Sequence, residues 1–295
     1  MPTVSEAFDR FQTRLQTTET ENAAASRRQE TLREQLGAAD PFDIVEHFLT
    51  GSYRRETKTK PLRDVDIMIV LSNTGYLDRH PREVLEDVCA VLEPHYEGRV
   101  ETDRRAVRVD FGVSLVDDLS GDVVSFDVVP AFADGSNYLI PDDVLGIWIS
   151  TNPQKHADLA RDANAAYAKQ WKPLVKAIKS WNNHHGKPIE PSFLIEVMAL
   201  EILTGTWGGS RKQEIRQFFA TAAARIGEAW PDPAGLGPDV SDTLHDDPTA
   251  LAKARTALLH AEKACTEAMR QERAGQTGGA LATWRGLLGP AFPTS

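Results

Sequence analysis

The stretch that most constrains the fold runs from Gly51 to Leu71, GSYRRETKTKPLRDVDIMIVL. It begins with a Gly-Ser pair and a basic loop, and it ends in an apolar run that predicts a buried strand over 64–71. Because successive side chains of a strand alternate between its faces, Asp64 and Asp66 are predicted to share one face, about 6.6 Å apart along the chain. Val65 then points into a core on the opposite face.

Two ionised carboxylates at this spacing repel each other unless a cation lies between them. A pair of divalent ions about 3.5–4 Å apart removes that repulsion, and enzymes that transfer phosphoryl groups use this arrangement. A hard cation that takes carboxylate oxygens and substrate phosphates predicts Mg²⁺, in two sites, with Mn²⁺ able to substitute. The alternative is that Asp64 and Asp66 are solvated charges at the end of a strand.

The Gly-Ser pair predicts a binding site for an anion. Gly51 lets backbone N–H groups approach a phosphate without interference from a Cβ, and the Ser52 hydroxyl is a further donor. The loop that follows is strongly basic and carries Arg54, Arg55, Lys58, Lys60 and Arg63. Taken alone, the Gly-Ser pair with its basic loop is compatible with a surface turn. Its combination with Asp-x-Asp before an apolar strand favours a site for nucleotide phosphates and metal.

The order hydrophobic-Gly-Ser, spacer, Asp-x-Asp resembles the fingerprint of the DNA-polymerase-β-like nucleotidyltransferases. The form GSYRRETKTKPLRDVDI is similar to that of the cGAS/DncV-like nucleotidyltransferases of bacteria, which make cyclic di- or trinucleotide second messengers in anti-phage defence. The resemblance implies an α+β fold with a mixed sheet and flanking helices, an all-helical C-terminal lobe, and a long N-terminal helix that bridges the two. The implied domains are 1–150, which holds the long helix and the catalytic core, and 151–295, which holds the helical lobe.

A third carboxylate is expected on a later strand. The segment 122–130, DVVSFDVVP, predicts a strand in which Asp127 is costly to bury unless it is paired or bound to metal. The resemblance implies a third metal-binding carboxylate, and Asp127 matches it. The alternative is an aspartate that faces solvent at a strand end. Asp110 lies opposite the apolar face of the strand predicted over 105–115 and is expected to face solvent.

Two residues of the C-terminal half are assigned through the resemblance. In the family, the helix written here as KAIKSWNN donates a lysine to the substrate triphosphate, and the serine of the following PSF segment adds a hydroxyl; Lys179 and Ser192 match them. Without the resemblance, Lys179 is a solvated helix charge and Ser192 a residue at a helix N-terminus. His184 and His185 lie in a turn that ends a helix, so C-terminal capping is favoured over metal binding.

The predicted helices have apolar residues at i, i+3 and i+4 and run over 4–36, 81–94, 158–183, 191–203, 211–229 and 247–273. The first is expected to be one long helix with Ser5 as N-cap and Gly37 as its stop. Pro173 is expected to kink or split the third. Beside the strands named above, 43–50 is predicted to be a strand, 132–153 mostly loop, and the glycine-rich 274–295 partly disordered.

Composition narrows the partners and the cellular compartment that are expected for this chain. The formal net charge of −10 argues against non-specific binding of nucleic acid, and no specific nucleic-acid partner is expected. Cys89 and Cys265 lie far apart without metal-ligand spacing, as expected for a reducing cytoplasm. No signal-peptide pattern and no apolar run of about 20 residues is present, so no membrane association is expected. The chain is expected to be a cytoplasmic monomer.

The resemblance implies that a ribose hydroxyl attacks the α-phosphorus of an NTP, that pyrophosphate leaves, and that a second turnover closes a ring. The product would act on a separate effector, and a regulatory protein partner is left open. The sequence also leaves open a linear 2′-5′ oligonucleotide synthase, a terminal or protein nucleotidyltransferase, and a catalytically inactive nucleotide-binding scaffold. Base selectivity, linkage and ring size are not determined by these residues.

Overall fold

The structure, a computed structural model, describes residues 1–40, 42–60, 62, 64–113 and 123–295. The chain forms two compact units, one of residues 17–157 and one of residues 1–16 with 158–295. The sequence placed the whole N-terminal helix with the core of residues 1–150. The structure differs because Val4, Phe8 and Phe11 are buried in the same hydrophobic cluster as the C-terminal helices.

The N-terminal segment is two helices, α1 (Val4–Leu15) and α2 (Glu19–Gly37), so the prediction of one long helix is wrong. The break lies at Gln16, whose backbone is extended. Thr18 then starts α2 with a capping box, in which its side chain accepts from the Glu21 N–H and Glu21 accepts in return. Thr3, rather than Ser5, caps α1 in the same way. Gly37 ends α2, as predicted.

The unit of residues 17–157 is built on a mixed sheet with the strand order β1-β2-β5-β4-β3. Strands β2 and β5 are parallel, and the other pairs are antiparallel. At the far end of β5, β6 and β7 continue the sheet as an antiparallel extension. The strands are β1 (Ile44–Leu49), β2 (Val65–Leu71), β3 (Val100–Thr102), β4 (Val107–Asp110), β5 (Ser125–Asp134), β6 (Asn137–Asp142) and β7 (Ile147–Thr151).

The two central strands are apolar because both faces of the sheet are covered. On one face, Ile67 of β2 and Val128 of β5 pack with residues of α2 and of α4 (Pro81–Leu92). On the other, Met68, Val70 and Ala131 form a smaller cluster. A single helical turn, α3 (Gly51–Arg54), lies between β1 and β2.

Two expectations for this unit are wrong. Residues 132–153 are largely strand, because β5 continues to Asp134 and a turn at Gly135, with φ +61°, leads into β6. Strand β4 ends at Asp110, well before the predicted end at residue 115. Residues 114, 115 and 122, which are ends of predicted strands, and Arg63 of the basic loop lie outside the described residues.

The other unit has a helical core around large aromatic side chains, among them Trp171, Trp181, Phe218 and Trp284. Pro173 was expected to kink or split the helix predicted over 158–183 in this unit. The split is confirmed, but it lies at residues 167–170, and Pro173 occupies the first turn of the next helix, where its missing N–H costs no hydrogen bond. The helices are α5 (Pro153–Ala166), α6 (Trp171–His184), α7 (Phe193–Ile202), α8 (Arg211–Arg225), α9 (Asp242–His245), α10 (Pro248–Arg273) and α11 (Thr277–Leu288).

The C-terminal segment is ordered, contrary to the prediction for 274–295. Its glycines weaken helix propensity, but Trp284 and Phe292 are fully buried. The Phe8 ring of α1 meets both in edge-on contacts, with centroids 4.9 Å and 5.1 Å apart. Burial of aromatic rings therefore outweighs propensity here. Within the described ranges, no helix is long and apolar enough to cross a membrane.

Candidate active site

The Gly-Ser turn is held directly against the first half of β2. Gly51 follows β1 with φ +55°, a left-handed conformation that favours glycine. The Thr50 N–H donates to the Asp66 carbonyl at 2.8 Å, which fixes the turn to the strand. A Cβ at residue 51 would lie 2.5 Å from Cγ of Asp66 and would overlap its carboxylate. Only glycine fits at this distance from the Asp66 side chain.

Asp66 and Asp127 are neighbours across the sheet. They are register partners in the parallel pair of β2 and β5, so their side chains leave the same face of strands that lie about 4.8 Å apart. The sequence predicted both carboxylates but contained no information on this register. Asp127 is half-buried, with 21% of its side chain exposed.

Asp64 precedes β2, so its predicted place within the strand is wrong. Its φ of +50° is a left-handed conformation that is uncommon for a non-glycine residue. Its backbone N–H donates to Ser125 Oγ at 2.9 Å, and the Ser125 hydroxyl donates to Asp64 Oδ1 at 3.0 Å. Ser125 lies two residues before Asp127 on β5, so the paired contacts bring Asp64 to the same end of the sheet.

Arg108 is a functional candidate that the sequence reasoning missed. It is the register partner of Asp127 on β4, its guanidinium is ion-paired with Asp64, and its Nε lies 3.8 Å from Asp127 Oδ1. The signal was present, since strand alternation places residue 108 opposite the apolar side chains of Val107 and Val109. Asp110 on the same strand is exposed, as predicted.

Arg108 offsets only part of the effect of burial and of the neighbouring carboxylates on the pKa of Asp127. Burial, reinforced by the neighbouring Asp66 and Asp64 carboxylates, raises the pKa of Asp127 to about 7, and Arg108 opposes this rise only in part. In an unfolded chain the same carboxyl ionises near pH 4. The folded protein therefore retains a proton that the unfolded chain has lost, and its stability falls as pH rises from about 4 to about 7.

Asp127→Asn should accordingly stabilise the metal-free protein at high pH because it removes this ionisation. We expect the gain in Tm over the parent, measured in EDTA, to be larger at about pH 8 than at about pH 5. Asp134→Asn is the matched control, since Asp134 is exposed on the same strand. An Asp127→Asn gain that is equal at both pH values would contradict the electrostatic account.

The carboxylates fit a hard divalent cation in their chemistry, although the side chains are not closed around one. Among the described residues, no group of three Asp, Glu, His or Cys side chains is arranged as a complete metal site. Asp64, Asp66 and Asp127 nevertheless lie near one another beside the Arg108 guanidinium, and the charges of Asp66 and Asp64 add to burial in raising the pKa of Asp127. Oxygen ligands of this type and charge are those that Mg²⁺ and Mn²⁺ prefer.

The basic loop after the Gly-Ser pair is less available for binding phosphate than the sequence suggests. Lys58 donates to Asn22 at 3.2 Å and lies over the Tyr53 ring, and Lys60 is ion-paired with Glu21 at 3.2 Å. Both lysines are thus bound to α2. Ser52 is half-exposed, and its carbonyl accepts the backbone N–H groups of the loop at residues 57 and 58. The turn therefore closes on itself through the Ser52 backbone.

In the helical unit, Lys179 is buried, so its interpretation as a solvated charge is wrong. Only 5% of it is exposed, and its Nζ lies 2.5 Å from Oε1 of Glu196, which is 1% exposed. Glu196 is in the first turn of α7, one turn after Ser192, where the helix dipole favours a carboxylate. Ser192 is exposed at the N-cap of α7. The signal for Glu196 was a lone carboxylate in a nearly apolar helix.

The two adjacent histidines end α6, as the sequence predicted. His184 is its last residue and His185 its C-cap. The His185 ring contacts the Leu287 carbonyl at 3.0 Å. The His185 ring thus connects the end of α6 to α11.

Residues 1–164, more than half of the chain, match the family model of the Second Messenger Oligonucleotide or Dinucleotide Synthetase domain, SMODS. The chain belongs to the SMODS family. It is therefore a nucleotidyltransferase, and the resemblance to the cGAS/DncV-like enzymes is confirmed.

Two relatives match most of this chain. The Cyclic AMP-AMP-AMP synthase of Acinetobacter sp. (strain ATCC 27244 / 9458) is 28% identical, over 90% of this chain and 78% of its own length. A protein named as a probable cyclic nucleotide synthase, from Bacillus cereus (strain VD146), is 28% identical over 83% of this chain and 81% of its own length. The names of both relatives describe the synthesis of cyclic nucleotides.

Solved structures confirm the fold predicted for this SMODS chain. CdnC of E. coli MS115-1 in complex with HORMA-deltaN superposes with a TM-score of 0.72, at 17% identity and 98% coverage of each chain. CdnC with ATP gives a TM-score of 0.69 at the same identity and coverage. The mixed sheet with flanking helices and the added helical part are thus shared.

Gly51→Ala should remove activity and lower stability together. Left-handed φ costs an alanine about 1–2 kcal/mol of the unfolding free energy, and the Cβ also displaces the Asp66 carboxylate. Gly135→Ala is the matched control, since Gly135 has φ +61° but no neighbouring atom in the way of a Cβ. Urea unfolding and nucleotide incorporation are measured for both. Equal activity in the two variants would show that the close approach of residue 51 to Asp66 is not needed for activity.

Proposed function

We propose that this SMODS enzyme joins NTPs into a cyclic di- or trinucleotide with release of pyrophosphate, in a reaction that depends on Mg²⁺. The observation that carries the proposal is the register of Asp66 with Asp127, which assembles carboxylates on adjacent strands beside the Gly51 turn. The name of the Acinetobacter relative, a cyclic AMP-AMP-AMP synthase, supports a cyclic product.

The roles of the sheet residues follow from their chemistry. Asp64 and Asp66 would hold two divalent ions, and Asp127 would hold one of them. When bound, these ions lower the pKa of an attacking hydroxyl and neutralise charge that develops on the phosphoryl group. The backbone N–H groups after Gly51 and the Ser52 hydroxyl orient phosphate oxygens. Positioning and charge stabilisation are the main contributions that a protein makes to such reactions.

Lys179 and Ser192 are proposed to bind phosphates of the substrate. The support is local: the Lys179–Glu196 pair places the ammonium group one helical turn from the exposed Ser192 at the N-terminus of α7. An ammonium group, a hydroxyl and a helix N-terminus all favour an anion. Glu196 would then hold the long lysine side chain in one orientation.

The partners follow from the reaction proposed. The substrates are NTPs, and the product acts on a separate effector in anti-phage signalling. The structure of CdnC with a HORMA partner supports a regulatory protein that controls this enzyme. The protein itself is proposed to be a monomer.

The test is incubation with Mg²⁺ or Mn²⁺ and labelled NTPs, offered singly and in pairs, followed by phosphatase. A cyclic product has no terminal phosphate, so its label survives. Release of all label as phosphate would favour an inactive binding protein, and loss of only the terminal-phosphate label, with the internal phosphodiester label retained, would favour a linear synthase; either result would contradict the proposal. Omission of the divalent ion is the matched control, and it should leave no surviving product.

A further inference from the structure

Arg108 lies beside two of the carboxylates that are proposed to bind metal. It extends from β4 beside Asp127, its register partner, and its guanidinium is bound to Asp64. Its Nε remains 3.8 Å from Asp127 Oδ1. Arg108, which is half-exposed, thus places positive charge beside two of the three carboxylates that are proposed to bind metal.

The Arg108 guanidinium contacts one particular oxygen of Asp64, Oδ1. Asp64 Oδ1 accepts from the Arg108 guanidinium and also from the Ser125 hydroxyl. This oxygen is therefore engaged by two donors, and a divalent ion that used it would have to displace the guanidinium. The backbone position of Arg108 is fixed by its place in β4, between the buried Val107 and Val109, so the side chain has to move.

We infer that Arg108 is an internal competitor of the divalent ion. It stabilises the metal-free enzyme by neutralising the carboxylates, and it releases Asp64 when metal binds. The inference rests on the metal site of the proposed function. It goes beyond that proposal, because a residue that is not itself a metal ligand would set the metal concentration that the enzyme requires. Arg108 acts through Asp64 and is thus a positioning residue.

The test is the affinity for Mn²⁺ in the absence of nucleotide, measured by the loss of the electron paramagnetic resonance signal of free Mn²⁺. Removal of the competing charge in Arg108→Met should tighten the Kd for Mn²⁺ by about tenfold, since a cation no longer has to leave the Asp64 carboxylate. The same variant should have a lower Tm in EDTA and a larger rise in Tm when Mn²⁺ is added. Arg108→Gln, which keeps a hydrogen-bond donor, should show a smaller change in the same direction and serves if the methionine variant does not fold.

Arg105→Met is the matched control. Arg105 also pairs with a buried carboxylate, that of Asp142, but it does not contact the three aspartates. It should lower Tm and leave the Kd for Mn²⁺ unchanged. A Kd in Arg108→Met that is unchanged or weaker would overturn the inference. Equal Mn²⁺ binding by Asp64→Asn and the parent would instead show that the proposed metal site is wrong, and the inference would fall with it.

Discussion

Asp66→Asn should abolish product formation while the protein stays folded. The amide retains the shape of the side chain beside Gly51 but is a poor ligand for a hard cation. Loss of a metal ligand removes several kcal/mol of charge stabilisation in the transition state, which corresponds to a rate loss of roughly a thousandfold or more. In the metal-free state, the substitution relieves repulsion between Asp66 and Asp127, so Tm in EDTA should rise slightly.

The measurement pairs nucleotide incorporation with thermal unfolding on the same preparation. Asp134→Asn, which removes an exposed charge from β5, is the control and should change neither quantity substantially. Turnover by Asp66→Asn at the rate of the parent would show that the carboxylates are not the metal site. A fall in both activity and Tm would indicate a structural role for Asp66 instead.

Lys179→Met should destabilise the helical unit by about 3–5 kcal/mol, because it leaves the Glu196 carboxylate buried without its counter-ion. A lysine on the surface would give a change of about 0.5 kcal/mol or less. The free energy of unfolding from urea titration distinguishes these values. The expected loss of stability is this large because Lys179 and Glu196 are both buried. The sequence did not show this burial.

The double variant Lys179→Met with Glu196→Leu separates structure from function. Replacement of both charges by apolar groups should recover most of the stability, since no isolated charge remains. If Lys179 binds substrate phosphates, the double variant should still have a raised KM for NTP, by a factor that does not depend on the base. A stable double variant with the KM of the parent would limit the pair to a structural role.

The sequence predicted the parts of the fold that have a local signal. The apolar run after Asp66 indicated β2, and a carboxylate in the apolar segment around Asp127 indicated an unusual position on β5. Helix α4 and the split near Pro173 followed from periodicity and proline. The confirmed resemblance then supplied the fold class, because the spacing of Gly51, Asp64 and Asp66 is a motif of short range.

The rest depended on contacts between distant segments. The register of Asp66 with Asp127, the pairing of Arg108 and the Lys179–Glu196 pair each join residues that no local pattern connects. The order of the C-terminal segment depends on burial of Trp284 against α1, which outweighs its glycines. The break between α1 and α2 had a local signal, the capping box at Thr18, that continuous helical spacing obscured.

The most direct test of the central claim is the ratio of pyrophosphate released to nucleotide present in the oligonucleotide product before phosphatase treatment. In a cyclic product every nucleotide has lost its pyrophosphate, so we predict one pyrophosphate for each nucleotide incorporated, with no triphosphate end on the product. A linear product keeps one triphosphate per chain and releases correspondingly less. A ratio below one, with a product that phosphatase attacks, would contradict the assignment of this enzyme as a cyclic oligonucleotide synthase.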